Sequence, residues 1–148
     1  MLKLLIFKNE TELNKIVSKK NVIDFLFEHL GKYGDEKSAI EKAIDYAFSK
    51  VEGKGGFLEI ALDNDEIVGV LVMNKTGMTG YIPKNILVYV AVRKDQRGKG
   101  VGKEIIIKAV EAADNDVALH VEYDNPAKRL YERIGFGTKY AEMRYIKE

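Results

Sequence analysis

The chain has no cysteine among its 148 residues. That excludes disulfides, thiolate metal sites and a cysteine nucleophile, so any acyl transfer must proceed without a cysteinyl-enzyme intermediate. Its only imidazoles, His29 and His120, are too few and too far apart in sequence for an obvious zinc motif, and no metal site is expected. Neither sign of charge is in excess: 32% of residues are charged and the formal net charge is +1. Domains that bind nucleic acid in bulk are usually strongly basic, so a nucleic-acid partner is not expected. No apolar run approaches membrane-spanning length. The opening MLKLLIFKNE lacks the apolar core and small-residue cleavage site of a signal peptide. No internal repeat, low-complexity tract or domain linker interrupts the chain. The expectation is a cytoplasmic protein of one domain spanning 1–148, with 46% hydrophobic residues to build its core.

What is present reads as alternating strands and helices. Leu2 to Lys8 is a short strand, and Thr11 to Leu30 and Asp35 to Val51 carry helical patterns, the first split near Ser18–Asn21. Gly53, Gly55 and Gly56 break the chain. Phe57 to Leu62 and Ile67 to Asn74 flank Asp63-Asn64-Asp65-Glu66, a hairpin signal, and Thr76 to Lys84 is a loop. Asn85 to Val92 (NILVYVAV) is nearly all apolar, as expected of a strand buried on both faces. A helix runs from Val101 to Ala113, and a strand from Val117 to Tyr123. Asn125 and Pro126 start a short helix, as N-cap and first position, that ends at Gly135. Thr138 to Lys147 is expected as a closing strand. Strand, helix, strand implies a parallel crossover, while the hairpin implies antiparallel pairing. The fold class is therefore α/β (or α+β) with a mixed sheet.

The most informative segment is the turn between the Asn85–Val92 strand and the following helix, RKDQRGKGVGK. A glycine-rich turn opening a helix leaves backbone N–H groups free and lets the main chain approach a ligand closely. The helix dipole adds positive potential there, so the turn is built for a phosphate or pyrophosphate. A Walker loop, G-x-x-x-x-G-K-S/T, is absent, and Gly98, Gly100 and Gly102 misplace the third glycine of a dinucleotide fingerprint.

Arg97-Gly98-Lys99-Gly100-Val101-Gly102 matches Q/R-x-x-G-x-G/A, and Asn125 to Phe136 (NPAKRLYERIGF) looks like N-x-A-x-x-L-Y-x-x-x-G-F. With one helix and one strand between them, the two motifs resemble the GNAT-family N-acetyltransferases over Phe57 to Phe136. The family's usual proline near Lys94 is absent. The resemblance implies a mostly antiparallel sheet with one parallel, splayed strand pair, flanked by helices, and acetyl-coenzyme A as co-substrate. It implies that the amides from Gly98 to Gly102 hold the pyrophosphate. Arg93, Lys94, Arg97, Lys99 and Lys103 are candidates for neutralising the phosphates. Val90, Ala91 and Val92 would pair through their backbone with the pantetheine arm and polarise the thioester carbonyl. Asn125, besides capping its helix, would lie near the pantetheine amides.

Tyr131 has two readings. Ala127, Leu130, Tyr131 and Ile134 form a helical apolar stripe, which makes it a core tyrosine. In the family, the matching hydroxyl assists the departing thiolate. Transfer from a phenol (pKa ~10) to a thiolate (about 8.5) is uphill by roughly 2 kcal/mol, so the phenol would act by hydrogen bonding. No acid lies on Asn85 to Val92, where many relatives keep a catalytic glutamate. Alternation on Val117 to Tyr123 would put Ala118, His120 and Glu122 on one face, making Glu122 and His120 candidate bases beside a water chain.

The implied activity is direct attack of an amine on the thioester in a ternary complex. The acceptor, a small amine or a protein amine, is left open. The helices from Thr11 to Val51 and the loop Thr76 to Lys84 would form the acceptor wall, where Glu28, Asp35, Glu36, Glu41 and Asp45 could attract a cation or simply face solvent. A homodimer is compatible with this reading. A non-catalytic acyl-coenzyme A sensor of the same fold is the rival, and a nucleic-acid module using the basic turn is a second.

Overall fold

The structure, a computed structural model, describes every residue from Met1 to Glu148. Its framework is a five-stranded sheet in sequential order. The strands are β1 (Leu2–Phe7), β2 (Gly56–Asp63), β3 (Glu66–Lys75), β4 (Asn85–Val92) and β5 (Val117–Leu119). The first three junctions are antiparallel and β4–β5 is parallel. Helices α1 (Glu10–Asn14), α2 (Lys19–Leu30) and α3 (Lys37–Ala47) pack on one face of the sheet. Helices α4 (Val101–Ala112) and α5 (Ala127–Ile134) pack on the other. This is the mixed, largely antiparallel α/β sheet with one parallel pair that the sequence implies. No helix is long and apolar enough to cross a membrane.

Local chemistry accounts for the element boundaries. Asn64 and Asp65 both take positive φ (50° and 63°), the two-residue turn whose twist suits a hairpin. The Ser18 hydroxyl accepts from the Asn21 amide at 3.1 Å, which caps α2 and separates it from α1. Helix α3 ends at Ala47 rather than Val51, because Ser49 Oγ accepts from the Val51 amide at 3.1 Å and turns the chain out of the helix. Alternation along β2 sends Leu58, Ile60 and Leu62 into the core under α2 and α3, and Phe57 and Ala61 into the core under α4. A Cβ at Gly69 would stand 2.3 Å from Ile105 Cδ1, so that glycine lets α4 lie close on the sheet.

Four expectations need correction. Strand β4 is not buried on both faces: Ile86, Val88, Val90 and Val92 are only half-buried, and all four line a cleft. Strand β5 stops at Leu119 instead of Tyr123. Its pairs are Asn85 with Val117, Ile86 with Ala118 and Leu87 with Leu119, and beyond them β4 offers no further parallel partner. The face alternation proposed for His120 and Glu122 therefore does not exist. Thr138 to Lys147 forms no strand and is exposed. A strand needs a neighbouring ladder, and the three-residue β5 supplies almost none. Lastly, α5 begins one residue later than expected, at Ala127, though Asn125 Oδ1 still caps it by accepting from the Ala127 amide at 2.9 Å.

The divergence of β4 from β5 has a visible origin. Val72 pairs with Tyr89 and Met73 with Leu87, which leaves Val88 as an extra residue, a β-bulge. Leu87 accordingly joins the core under α4, whereas Tyr89 joins the core under α2 and α3. At the other end the strands are locked. Asn85, 2% exposed, donates to Asp114 Oδ1 and to the Asp116 carbonyl, both at 3.3 Å, and Lys84 pairs with Asp114 at 2.7 Å. The pair is thus closed at Asn85–Leu87 and open past the bulge.

Candidate active site

The opening between β4 and β5 is the middle of a cleft of about 2110 Å³, lined by Val90, Val92, Gly98, Gly100, His120 and Tyr131 among others. At one end lies the glycine turn. Gly98 and Gly100 take φ of 77° and 83°, and a Cβ on either would meet nothing within 4 Å, so both face open space. Gly100 is the residue before α4 and no side chain caps that helix. The amides of Val101, Gly102 and Lys103 therefore have no acceptor within the helix. Lys99 and Lys103 are exposed and carry no ion-pair partner, so the positive end of α4 is reinforced by two uncommitted cations. The arrangement can hold a diphosphate.

Of the other three basic residues of the turn, Lys94 is exposed, lines the cleft and has no ion-pair partner, whereas Arg93 and Arg97 are already engaged. Arg93 bonds Asp95 at 2.7 Å and Glu66 at 3.2 Å. Arg97 donates from Nε to the Val92 carbonyl at 3.2 Å and from Nη2 to the His29 carbonyl at 2.7 Å. Its guanidinium thus ties the end of β4 to the end of α2.

Among Val90, Ala91 and Val92 the backbone roles separate. The Arg93 amide bonds the Val68 carbonyl at 2.9 Å, which sets the phase of the antiparallel ladder. In that phase Ala91 spends its main-chain groups on β3, while those of Val90 and Val92 point into the gap. The Val92 carbonyl is taken by Arg97, leaving Val90 as the residue with both polar groups presented to the cleft.

Tyr131, on α5, is 8% exposed, edge-on to Phe136 with ring centroids 5.8 Å apart. Burial alone pushes its hydroxyl up to about 12, so it is a firm proton holder and a hydrogen-bond donor. His120 and Glu122 are exposed in the segment leaving β5, and Asn125 follows at the start of α5; all three line the cleft.

The opposite wall holds groups that sequence reasoning did not assemble. The Tyr89 hydroxyl donates to Asp35 Oδ2 at 2.5 Å. The turn carrying Asp35 is tied across the cleft, with Lys32 Nζ 3.1 Å from Asp124 Oδ2 and the Tyr33 hydroxyl donating to the Asp124 carbonyl at 3.1 Å. His29, at the end of α2, stacks on Phe25 and leaves Nδ1 buried without a partner. Burial lowers its pKa, Glu28 opposes that, and the neighbouring Arg97 and Lys94 add to the lowering, so the neutral ring is favoured. Only the acidity of the Asp35–Glu36 pair was legible as a signal, since Tyr89 hides within an apolar run.

Known proteins agree with this layout. The family model for the acetyltransferase (GNAT) family matches residues 22–136. N-alpha-acetyltransferase 30 of Schizosaccharomyces pombe is 28% identical over 85 residues, 54% of this chain and 57% of that protein. The match thus spans little more than half the length of that relative. An aminoglycoside N-acetyltransferase solved in complex with CoA superposes with a TM-score of 0.70 at 13% identity, over 99% of this chain and 95% of that one. The ribosomal-protein-alanine N-acetyltransferase of Brucella melitensis biovar Abortus 2308 gives 0.67 at 13%, over 99% of both chains. At such identities the superpositions speak to the fold alone. The family match covers well over half of the chain, from α2 through the glycine turn to Phe136, and the chain belongs to the acetyltransferase (GNAT) family.

Proposed function

We propose that the protein moves an acetyl group from acetyl-coenzyme A to a primary amine by direct attack within a ternary complex. The observation that carries this reading is a single continuous cleft. It joins an anion cradle at Gly98–Gly102 to an unpaired stretch of β4 at Val90, with a buried phenol at Tyr131. Coenzyme A supplies a thioester, an acyl group activated by a good leaving thiol. The amides of Gly98 to Lys103 would hold its diphosphate, with Lys99 and Lys103 as counter-charges. Val90 N–H would polarise the thioester carbonyl as negative charge develops on oxygen. Arg97, Ala91 and Val92 would act by shaping the turn and strand, and Asn125 by fixing the start of α5.

Tyr131 would donate a hydrogen bond to the departing sulfur. With the phenol near 12 and a thiol near 8.5, full proton transfer is uphill by about 5 kcal/mol, so the proton stays on Tyr131. The C–N bond forms, the C–S bond breaks, and the amine's proton leaves to Glu122, His120 or water. The acceptor class in relatives ranges from aminoglycosides to protein N-termini. We place the reaction in one domain of cytoplasmic type, without a role for nucleic acid.

Amine-dependent thiol release, measured on a panel of mono- and polyamines, tests the reading. Acetyl-coenzyme A should also raise the melting temperature, and dephospho-coenzyme A should raise it less if Lys99 or Lys103 meets the 3′-phosphate. No shift at millimolar ligand would remove the basis for the proposal. One observation favours a second reading, since β4 carries no acid. A coenzyme-induced shift with no thiol release from any amine would favour a non-catalytic acyl-coenzyme A sensor.

A further inference from the structure

The wall facing Tyr131 carries a carboxylate that acetyl transfer itself does not require. Asp35 lies in the turn between α2 and α3, and its Oδ2 is held by the Tyr89 hydroxyl at 2.5 Å. Tyr89 is only 8% exposed and is packed in the core under α2 and α3. It also precedes Val90 on β4. A buried phenol on a strand is a rigid post, so the Asp35 carboxylate is fixed relative to Val90 while Oδ1 remains free to accept.

Most other acids nearby are otherwise occupied, and the adjacent Glu36, which has no ion pair, does not line the cleft. Glu41 and Asp45 hold Lys19 at 3.2 and 3.0 Å, and Glu28 sits 3.1 Å from His29 Nε2. Of Glu28, Asp35, Glu36, Glu41 and Asp45, Asp35 alone lines the cleft. Farther along it, Asp124, Glu132 and Glu142 pair with Lys32, Lys128 and Arg144, and the unpaired Asp116 and Glu122 flank β5. Arg144 is kept protonated chiefly by Glu142, its ion-pair partner, and feels Asp35 only as a lesser influence. Asp35 therefore presents an ionic acceptor with no cation of its own.

Such a group is badly suited to the nitrogen that reacts. A carboxylate beside an ammonium strengthens its hold on the proton, and freeing an alkyl ammonium is already uphill at neutral pH. It is well suited to a cationic group elsewhere on the same molecule. We propose that Asp35, positioned by Tyr89, binds a second positive charge of the acceptor. The acceptor is then at least a dication, with one amine placed at Val90 and another held at Asp35. This rests on the acetyl-transfer reading above.

Spermidine and butylamine are suitable probes, since butylamine keeps one aminobutyl arm and drops the further charges. The wild-type protein should favour spermidine in kcat/KM by about tenfold or more, the scale of a charge-assisted hydrogen bond. Asp35→Asn should raise the spermidine KM about tenfold. It should leave kcat, the butylamine rate and the melting shift caused by acetyl-coenzyme A unchanged. Tyr89→Phe should raise the same KM by less. Calorimetric binding of spermidine to protein saturated with coenzyme A reads Asp35 without turnover, and the affinity should fall about tenfold in Asp35→Asn. Equal rates for both amines in wild type, or a spermidine KM or affinity untouched by Asp35→Asn, would overturn the proposal. Failure of the acetyl-transfer reading looks different: acetyl-coenzyme A then gives no melting shift, while spermidine binding to the free protein still tests Asp35.

Discussion

The two walls of the cleft are built by different means. On the α4 and α5 side, the ligand-facing groups are backbone amides at a helix start, and their geometry follows from glycines adjacent in sequence. On the α2 and α3 side, side chains make the contacts over long separations, Tyr89 and Lys32 to the carboxylates of Asp35 and Asp124, Tyr33 and Arg97 to the carbonyls of Asp124 and His29. On the proposed function, the wall built around main-chain amides would hold the co-substrate that every turnover shares. The side-chain wall can change with the acceptor while the sheet stays the same. Variants that affect one wall and spare the other test that division.

The largest effect is expected at Gly100. Its φ of 83° lies where a β-branched residue is strained, and its Cβ direction opens into the anion cradle. Gly100→Val should abolish coenzyme binding with the fold largely intact, as followed by calorimetry and circular dichroism. Spermidine affinity, set on the other wall, should persist. A folded Gly100→Val variant with wild-type coenzyme affinity would place the phosphate site elsewhere.

Next comes Tyr131→Phe, which keeps the ring against Phe136 and removes only the hydroxyl. Turnover should fall by about 10²-fold or more, while coenzyme affinity barely changes. A purely structural tyrosine predicts the reverse, with turnover kept and stability lowered by roughly 1 kcal/mol. Thiol release and melting temperature on one preparation separate the two.

The cores beneath the two walls also differ. Under α4 lies Glu59, fully buried, with neither carboxylate oxygen hydrogen-bonded. Burial pushes it up to about 8 against a small opposing pull from Lys108. Its folded pKa is thus above its unfolded value near 4.5. Both states are protonated below that value, so the full stability is present there. As pH rises from 4.5 towards 8 the unfolded chain ionises first, and stability falls by about 1.4 kcal/mol per pH unit. Denaturant melts at pH 5.5 and 7 should differ by about 2 kcal/mol more for wild type than for Glu59→Gln. Parallel pH profiles for the two proteins would mean that Glu59 has a partner in solution.

The sequence was readable wherever structure is local. The turn at Gly98–Gly102, the hairpin at Asn64–Asp65 and the Asn125 cap depend on neighbouring residues, and all three lie within a residue of their expected places. It also revealed β1, whose partner β2 lies far along the chain, and β4 over Asn85–Val92, but it misled at the C-terminal end, where the ladder runs out. Val117–Tyr123 and Thr138–Lys147 have strand-like composition, but β4 leaves β5 after Leu87, and no ladder remains for the first beyond Leu119 or for any of the second. The Val88 bulge has no sequence signal, since NILVYVAV alternates no more at Val88 than elsewhere. That one extra residue turns Tyr89 towards Asp35, so the proposed acceptor wall could not have been assembled from the sequence alone.

The smallest effect, and the sharpest test of the division between walls, concerns Arg97. Its place at the head of the glycine signature implies a phosphate ligand, whereas its guanidinium bridges the Val92 and His29 carbonyls and so belongs to both walls. Arg97→Met removes charge and bridge together, and the two roles then predict different losses. As a strut, Arg97 contributes two hydrogen bonds at an exposed site, and the variant should lose about 1 kcal/mol of stability. Coenzyme affinity should stay within about threefold, because the diphosphate is held by amides and by Lys99 and Lys103. Acceptor KM should rise, since the end of α2 and the turn to Asp35 are no longer tied to β4. As a phosphate ligand, it would instead cost about tenfold in coenzyme affinity and leave the melting temperature of the free protein unchanged. Arg97→Lys divides the roles further: it restores a charge near the cradle but cannot reach both carbonyls at once. A strut therefore stays broken in Arg97→Lys, with the stability of Arg97→Met, whereas a phosphate ligand recovers most of its affinity.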